Sequence, residues 1–186
     1  MALQILIRSE QPADREAIGG LVSEAFEETF GEGAEVAALT DRLRAVPGFT
    51  PELSLVAVSH DERVIGHVMF SPVVLEQARD IPVAVLAPLA VASDCQGRGT
   101  GSALVREGLE LCRQHGYRIV FVAGSRRYYS RFGFVSASSA GLSLPFGDPT
   151  HDMVQELSPG MLSQVEGNVL FPREAWQRWL RENGDE

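Results

Sequence analysis

The most informative segment of this sequence is Leu89-Ala90-Val91-Ala92-Ser93-Asp94-Cys95-Gln96-Gly97-Arg98-Gly99-Thr100-Gly101. It starts as an apolar strand, passes through a glycine-rich loop and enters a helix predicted from about Thr100 to His115. A helix N-terminus offers unpaired N–H groups and a positive dipole end, and glycines let the backbone approach a ligand without a Cβ in the way. The pattern predicts an anion-binding loop or, if the glycines serve only the turn, a structural helix cap.

Two common nucleotide-binding motifs do not fit this loop. The dinucleotide fingerprint requires G-x-G-x-x-G, whereas Gly97, Gly99 and Gly101 are spaced G-x-G-x-G and position 102 is Ser. A phosphate-binding P-loop requires a lysine, and all 16 basic residues of this chain are arginine. The missing lysine also excludes Schiff-base chemistry and a lysine general base.

The elements around the loop alternate between strand and helix patterns, which predicts an α/β fold around a mixed sheet. Upstream, the patterns predict a strand at Leu3–Arg8, a helix opening at Ser9–Asp14, a helix at Ala34–Ala45, and strands at Leu53–Ser59, Val64–Ser71 and Ile81–Ala92. Downstream, they predict strands at Arg118–Ala123, Phe132–Val135 and Met153–Leu157, one or two helical turns at Arg126–Arg131, and a tail helix at Pro172–Glu182.

Length and charge limit the classes of function. The chain has 186 residues, 45% of them hydrophobic, which suits one domain with a sizeable core. Its 16 basic and 25 acidic residues give a formal net charge of −9. This balance argues against broad nucleic-acid binding and against docking on anionic lipid, and it favours a cationic partner or substrate.

Cysteine usage and hydropathy favour a cytoplasmic location. Cys95 and Cys112 are too few for a disulfide-stapled scaffold and show no zinc-ligand spacing. The opening residues show no signal peptide, and no apolar run is long enough to span a bilayer. We therefore expect a reduced, cytosolic protein with no membrane partner.

The loop and a downstream segment resemble a known family. Gln96-Gly97-Arg98-Gly99-Thr100-Gly101 resembles the Q/R-x-x-G-x-G/A signature of the GNAT superfamily of acyl-CoA-dependent N-acetyltransferases, and Leu89-Ala90-Val91 resembles its fourth strand. Tyr128-Tyr129-Ser130-Arg131-Phe132-Gly133-Phe134 resembles its second signature, a tyrosine four residues before Gly-Phe. The Tyr-Tyr pair, followed by Leu157-Ser158-Pro159-Gly160, resembles the YhbS-like branch.

The resemblance implies a particular fold. It implies a central, mixed, mostly antiparallel twisted sheet of about six or seven strands flanked by helices. The fourth and fifth strands would be parallel and splayed, with Pro88 fitting a bulge at that point. The chain would form a single acetyltransferase domain over residues 1–186, with a C-terminal extension from about residue 158.

The resemblance also implies the site, with acetyl-CoA as co-substrate, an amine as acceptor and no metal. The backbone amides of the loop would hold the coenzyme pyrophosphate; these are the amides of Gln96, Gly97, Arg98, Gly99, Thr100 and Gly101. The backbone of Leu89, Ala90 and Val91 would pair with pantetheine. Tyr129 would face the thioester sulfur as general acid.

Elementary chemistry agrees with such a role for Tyr129. A phenol stays protonated at pH 7 and is acidic enough to protonate a departing thiolate. The alternative is that Tyr129 is an aromatic core residue beside Phe132 and Phe134.

The sequence does not single out a general base. His67 on the third strand and Glu27 and Glu28 near the second helix are candidates, but each also fits a structural or solvated role. Together with Glu24, Glu32 and Glu35, the two glutamates make an acidic patch that is either a solvated helix face or a lip for a cationic substrate.

Other residues are weaker candidates. Cys95 lacks a His–Asp partner pattern and is read as a loop residue, and Cys112 as core. The four histidines lack metal-ligand spacing. Arg126 and Arg127 fit either surface charge or a coenzyme phosphate contact.

Three functions therefore stay open at this point. The first is an N-acetyltransferase acting on a small-molecule amine or a peptide terminus by direct attack in a ternary complex. The second is a non-catalytic acyl-CoA sensor or regulatory domain, and the third is an interaction protein whose glycine loop is structural. A homodimer is compatible with each, with Trp176 and Trp179 of the tail as candidate interface residues.

Overall fold

The computed structural model describes residues 5–145 and 148–182, except for the side chains at positions 179, 181 and 182. The strands are β1 (Ile5–Ser9), β2 (Ser54–Ser59), β3 (Val64–Leu75), β4 (Val83–Val91), β5 (Ile119–Ala123), β6 (Val135–Ser136), β7 (Leu142–Ser143), β8 (Asp152–Glu156) and β9 (Gly167–Leu170). The helices are α1 (Arg15–Phe30), α2 (Gly33–Leu43), α3 (Thr100–Gln114), α4 (Arg126–Tyr129) and α5 (Arg173–Glu182).

The chain divides into two compact units. The first contains Met1–Ser71 and Ala87–Leu111, and the second contains Pro72–Leu86 and Cys112–Glu186. Strands β3 and β4 and helix α3 each contribute residues to both units.

The sheet of the first unit is antiparallel. β1 pairs with β2 from Ile5↔Ser59 to Ser9↔Leu55. β2 pairs with β3 from Ser54↔Met69 onward. At the end of β4, the Ala92 N–H donates to Ile65 O at 2.9 Å, so the end of β4 lies beside the start of β3. Because β3 leads into β4 through a short connection, this contact makes the two strands antiparallel neighbours.

Glycines bring helices close to their neighbours in this unit. A Cβ on Gly108 of α3 would lie 2.1 Å from Cε2 of Phe70, and one on Gly66 would lie 2.9 Å from Cδ1 of Leu104. Leu104 and Phe70 are fully buried, so α3 packs tightly on β3. At the start of α2, a Cβ on Gly33 would lie 2.1 Å from Ser23 O, which fixes the tight turn from α1 to α2.

The second unit contains the parallel pair. β4 pairs with β5 in parallel from Val83↔Ile119 to Val85↔Phe121. β5 pairs with β8 along its whole length, antiparallel, and β6 pairs with the other side of β8. The end of β3 pairs with β9 at Val74↔Leu170 and Leu75↔Val169. The predicted α/β fold with a mixed sheet and parallel β4 and β5 is confirmed.

The predictions missed two short strands and misjudged another. β7 and β9 are too short to show a periodic pattern in the sequence. Because β9 follows β8, the strand predicted at Met153–Leu157 is not the last one. The strand predicted at Phe132–Val135 is reduced to Val135–Ser136. Ser130–Phe132 instead form a 3-10 turn that ends at Gly133, whose φ is 94°.

Some predictions concern residues near the two ends of the chain. Leu3 lies outside the described residues, and so does the side chain of Trp179. Trp176 is buried against Phe171 with ring centroids 4.8 Å apart, which makes it a core residue of its own unit. None of the described helices combines the length and apolar character needed to cross a membrane.

Candidate active site

The glycine loop joins β4 to α3. A 3-10 turn at Ser93–Cys95 follows β4, and residues 96–99 are exposed before α3 begins at Thr100. Gly97 and Gly99 have φ values of 70° and 91°, in the left-handed region. A Cβ on either glycine would meet no atom within 4 Å, so the backbone conformation rather than space requires glycine here.

The start of α3 leaves backbone donors free. The N–H of Ala103 donates to Gly99 O at 2.9 Å as the first hydrogen bond of the helix. The N–H groups of residues 99–102 therefore precede any intrahelical acceptor. Four such donors at the positive end of a helix of 15 residues form a place where an anion is stabilised.

Side chains hold the loop in place. The Gln96 Nε2 amide donates to Val91 O at 3.1 Å, which ties the loop to the end of β4. Arg63 donates from Nη2 to Asp94 Oδ2 at 2.7 Å and to Cys95 Sγ at 3.4 Å. Cys95 is buried, and burial raises the pKa of its thiol, so this residue is a structural part of the loop.

The strand segment Leu89–Val91 leads directly into this loop. Ala90 is buried, whereas Leu89 and Val91 are half-buried. The peptide bond between Ala87 and Pro88 is cis. The first unit thus contains both of the segments predicted to bind the coenzyme, and Gln96 connects them.

Tyr129 belongs to the second unit, where it ends α4. Its ring is only 8% exposed and lies in edge contact with Tyr128 and Phe134, at centroid distances of 5.0 and 5.6 Å. A Cβ on Gly124 would lie 2.6 Å from Cε2 of Tyr129, so this glycine makes room for the ring. Burial, with Tyr128 adding to it, raises the pKa of Tyr129, and the hydroxyl keeps its proton at ordinary pH.

The candidate bases differ sharply in their surroundings. Glu27 and Glu28 are exposed, and Glu27 accepts a hydrogen bond from the Gly33 N–H at 3.1 Å. His67 is fully buried. The other three histidines, His60, His115 and His151, are exposed. Within residues 5–145 and 148–182, no group of three or more His, Cys, Asp or Glu side chains is arranged to hold a metal.

His67 is part of a buried polar network that the sequence analysis missed. Arg44 donates to both carboxylate oxygens of Glu10, at 2.6 and 2.9 Å. Ser54 Oγ lies 2.6 Å from Glu10 Oε2 and 3.0 Å from His67 Nε2. Four residues spread from position 10 to position 67 give no local signal, so only the fold brings them together.

The network shifts the pKa values of its members. Burial alone raises the pKa of Glu10, but the nearby His67 and the hydrogen bonds from Arg44 and Ser54 outweigh it and lower the value to about 2. Burial lowers the pKa of His67, against the opposing effect of Glu10. Glu10 is therefore ionised and His67 is neutral at pH 7.

Comparison with known proteins identifies what this geometry resembles. The sequence profile of the "Acetyltransferase (GNAT) family" matches residues 18–134. The Escherichia coli (strain K12) protein named uncharacterized N-acetyltransferase YhbS is 38% identical over 168 residues, which cover 90% of this chain and 96% of that protein.

Two solved structures are similar over nearly the whole chain. The crystal structure of E. coli YhbS in complex with CoA has a TM-score of 0.83 and 35% identity, covering 94% of this chain and 93% of that one. A GNAT family acetyltransferase from Brucella melitensis in complex with acetyl-CoA has a TM-score of 0.75 and 31% identity, covering 92% and 97%.

The glycine loop at the start of α3, the parallel pair β4–β5 and the tyrosine that ends α4 thus occur in a chain whose relatives are N-acetyltransferases. The chain belongs to the GNAT family of acetyltransferases, in its YhbS-like branch, and is an acyltransferase.

Proposed function

We propose that this protein transfers an acetyl group from acetyl-CoA to a primary amine, a small molecule or a peptide terminus, by direct attack in a ternary complex. The observation that carries the proposal is the similarity to E. coli YhbS, which was solved in complex with CoA, at a TM-score of 0.83. The B. melitensis relative solved with acetyl-CoA supports the acyl form of the coenzyme.

In this proposal the first unit binds the coenzyme. The amides of Gln96–Gly101 hold the pyrophosphate, because the unpaired N–H groups at the start of α3 suit two adjacent phosphate groups. The backbone of Leu89–Val91 binds pantetheine in the manner of an added strand. The hydrogen bond from Gln96 to Val91 O keeps these two segments in a fixed relation.

Tyr129 supplies the proton for the leaving group. The neutral amine attacks the thioester carbonyl carbon, the C–S bond breaks, and the Tyr129 hydroxyl protonates the CoA thiolate. The resulting tyrosinate takes back a proton from the acylated nitrogen, which leaves a neutral amide. Because burial raises the pKa of Tyr129, the hydroxyl carries its proton before the reaction begins, and the same shift weakens it as an acid.

The acceptor is proposed to be cationic. The net charge of −9 favours a cation, and an alkylamine carries a positive charge at pH 7. The second half of helix α1 carries exposed glutamates, which give this part of its surface a negative charge; they are Glu24, Glu27 and Glu28.

The proposal also covers the extent of the domain, the cellular compartment and the oligomeric state. We take residues 1–186 as one acetyltransferase domain whose extension, from about residue 158, adds β9 to the end of β3. Both cysteines are free, which suits a reduced cytoplasmic compartment. A homodimer stays a prediction.

Calorimetry tests the proposal directly. Acetyl-CoA should bind the purified protein with micromolar affinity, while adenosine diphosphate should bind at least about tenfold more weakly because it lacks the pantetheine arm. A panel of primary amines then identifies the acceptor by release of free CoA.

The outcomes separate the three readings of the sequence. Binding followed by transfer supports the enzyme. Tight binding with no transfer to any amine supports the non-catalytic acyl-CoA sensor. Folded protein that binds no acetyl-CoA leaves the glycine loop as a structural turn and contradicts the proposed function.

A further inference from the structure

The buried network of Glu10, Arg44, Ser54 and His67 has a defined arrangement of protons. His67 and Ser54 are fully buried, and the side chains of Glu10 and Arg44 are each 8% exposed. Ionised Glu10 can only accept hydrogen bonds, so the single proton of Ser54 points to Glu10 Oε2 at 2.6 Å. Ser54 Oγ must then accept the hydrogen bond from His67 Nε2 at 3.0 Å.

This arrangement fixes the tautomer of His67. Nε2 carries the proton, and Nδ1 carries a lone pair. Nδ1 is buried and has no hydrogen-bond partner among the residues that the structure describes. A buried imidazole nitrogen without a donor is costly, because burial removes the water that would otherwise satisfy it. Its lone pair is thus free to accept a proton.

His67 lies beside the strand segment that is proposed to bind pantetheine. Ala92 N–H donates to Ile65 O, and β3 and β4 run antiparallel. Continuing this register by two residues places His67 opposite Ala90, the middle residue of Leu89–Val91. Directly opposite residues of an antiparallel pair project to the same face of the sheet.

We propose that His67 accepts, at Nδ1, the proton that an alkylammonium acceptor must lose before it attacks the thioester. Ser54 and Glu10 are positioning residues that hold the ring and its tautomer. The inference rests on the proposed function and names the proton acceptor that the sequence left open among His67, Glu27 and Glu28.

The step balances without any further reactant. An N–H bond of the ammonium breaks, its electron pair stays on nitrogen, and an Nδ1–H bond forms on His67. Nε2–H remains donated to Ser54 and the Ser54 proton to Glu10, so the new imidazolium faces the Glu10 carboxylate 3.7 Å away. The proton returns to solvent after the amide leaves, and nothing is oxidised or reduced.

Charges around the ring set how readily it takes the proton. Burial opposes the imidazolium most strongly, Glu10 just after β1 favours it, and Arg44 at the end of α2 opposes it more weakly. Arg44 also holds both Glu10 oxygens, which keeps the carboxylate ionised and directed at Ser54. The ring is therefore neutral at pH 7, and Glu10 is the neighbouring group that favours its protonation.

A pH profile of His67→Gln tests the inference. With the alkylamine found in the panel, kcat/KM at pH 7 should fall by about 100-fold. The deficit should shrink to less than about tenfold at pH 9.5, because a growing fraction of the amine is then neutral and needs no base. A purely structural role predicts the same loss at every pH, and that result would overturn the proposal.

A second pair of variants avoids changing the histidine itself. Ser54→Ala uncouples His67 from Glu10 and should move the acidic limb of the kcat profile to lower pH, since Glu10 raises the pKa of His67. The matched control is Ser71→Ala, which changes a fully buried serine of the neighbouring strand β3 and should leave the limb in place. An unmoved limb in Ser54→Ala contradicts the coupling.

Nitrogen-15 NMR of the wild-type imidazole gives a readout independent of activity. The Nδ1 resonance of His67 should be that of an unprotonated nitrogen at pH 7. An Nδ1–H tautomer or an imidazolium at that pH would overturn the inference even if the protein acetylates amines. Failure of the wild type to bind acetyl-CoA would instead contradict the proposed function.

Discussion

Tyr129 is positioned by its neighbours and kept protonated by its burial. Replacing Tyr129 with Phe removes the hydroxyl and leaves the aromatic packing against Tyr128 and Phe134 intact. We expect kcat to fall by about 100-fold while the Kd for acetyl-CoA changes less than about threefold, because a proton donor to the leaving thiolate acts in the transition state. Steady-state kinetics and calorimetry measure the two quantities.

The variant Gly124→Ala tests whether activity depends on the position of the Tyr129 ring. The added Cβ would approach Cε2 of Tyr129 at 2.6 Å, so the ring must move, and kcat should fall although the hydroxyl is retained. Gly20→Ala, where an added Cβ meets no atom within 4 Å, is the control and should leave kcat unchanged.

For the Tyr129→Phe variant, full activity would contradict the general-acid role and would leave Tyr129 as a residue of the aromatic core alone.

Individual residues were predictable where the signal is local. Gly97 and Gly99 were singled out by their spacing, and the structure shows the positive φ values that explain it. The network around His67 was not predictable, because Glu10 follows β1, Arg44 follows α2, and only the tertiary structure brings them together. Long-range polar contacts leave no periodic trace in a sequence.

At the level of elements, the packing of α3 on β3 depends on Gly108. Gly108→Ala would place a Cβ 2.1 Å from the buried ring of Phe70, and both residues belong to the proposed coenzyme-binding unit. We expect a loss of about 3 kcal/mol in the free energy of unfolding, measured by urea denaturation, because a close-packed core has no space for the extra methyl.

A second substitution distinguishes overpacking from a helix effect. Adding Phe70→Leu to Gly108→Ala should recover part of the lost stability. Gly20→Ala in α1 should instead stabilise by up to about 1 kcal/mol, since alanine favours the helix. No recovery in the double variant would mean that Phe70 is not the cause.

Elements with a clear period were predicted well, and short ones were not. α2 and α3 lie within a few residues of their predicted bounds, and β2 to β5 were all anticipated. β7 and β9 depend on pairing with each other, and β9 on pairing with β3, rather than on their own composition. Their existence is a property of the tertiary structure.

At the scale of the whole molecule, the buried network predicts a loss of stability in acid. The pKa of Glu10 is about 2 in the folded protein, against an ordinary value of 4.5, which corresponds to roughly 3 kcal/mol. That contribution is complete above pH 4.5 and is lost as the pH falls towards 2. The pKa of His67 is also lowered, so the unfolded chain binds its proton first and stability begins to fall below about pH 6.5.

Urea denaturation between pH 7 and pH 4 measures the contribution of His67, and its extension to pH 2 measures that of Glu10. The net charge of −9 becomes smaller in the same range, and reduced self-repulsion acts in the opposite direction. A decline in stability that is flatter in His67→Gln would therefore point to the network. A decline of the same steepness in the wild type and in His67→Gln from pH 7 to pH 4 would contradict the lowered pKa of His67.

The burial of both cysteines has a practical consequence for following the reaction. Cys95 is 5% exposed and Cys112 is inaccessible, and burial raises the pKa of each thiol, that of Cys112 to about 12. Accessible thiolates attack disulfide reagents, and the buried thiols of the folded enzyme therefore react with them very slowly. Every acetyl transfer frees one CoA thiol in solution. A colorimetric thiol reagent thus measures turnover with little background signal from the protein. A sudden rise of two thiols per chain would show that the protein has unfolded.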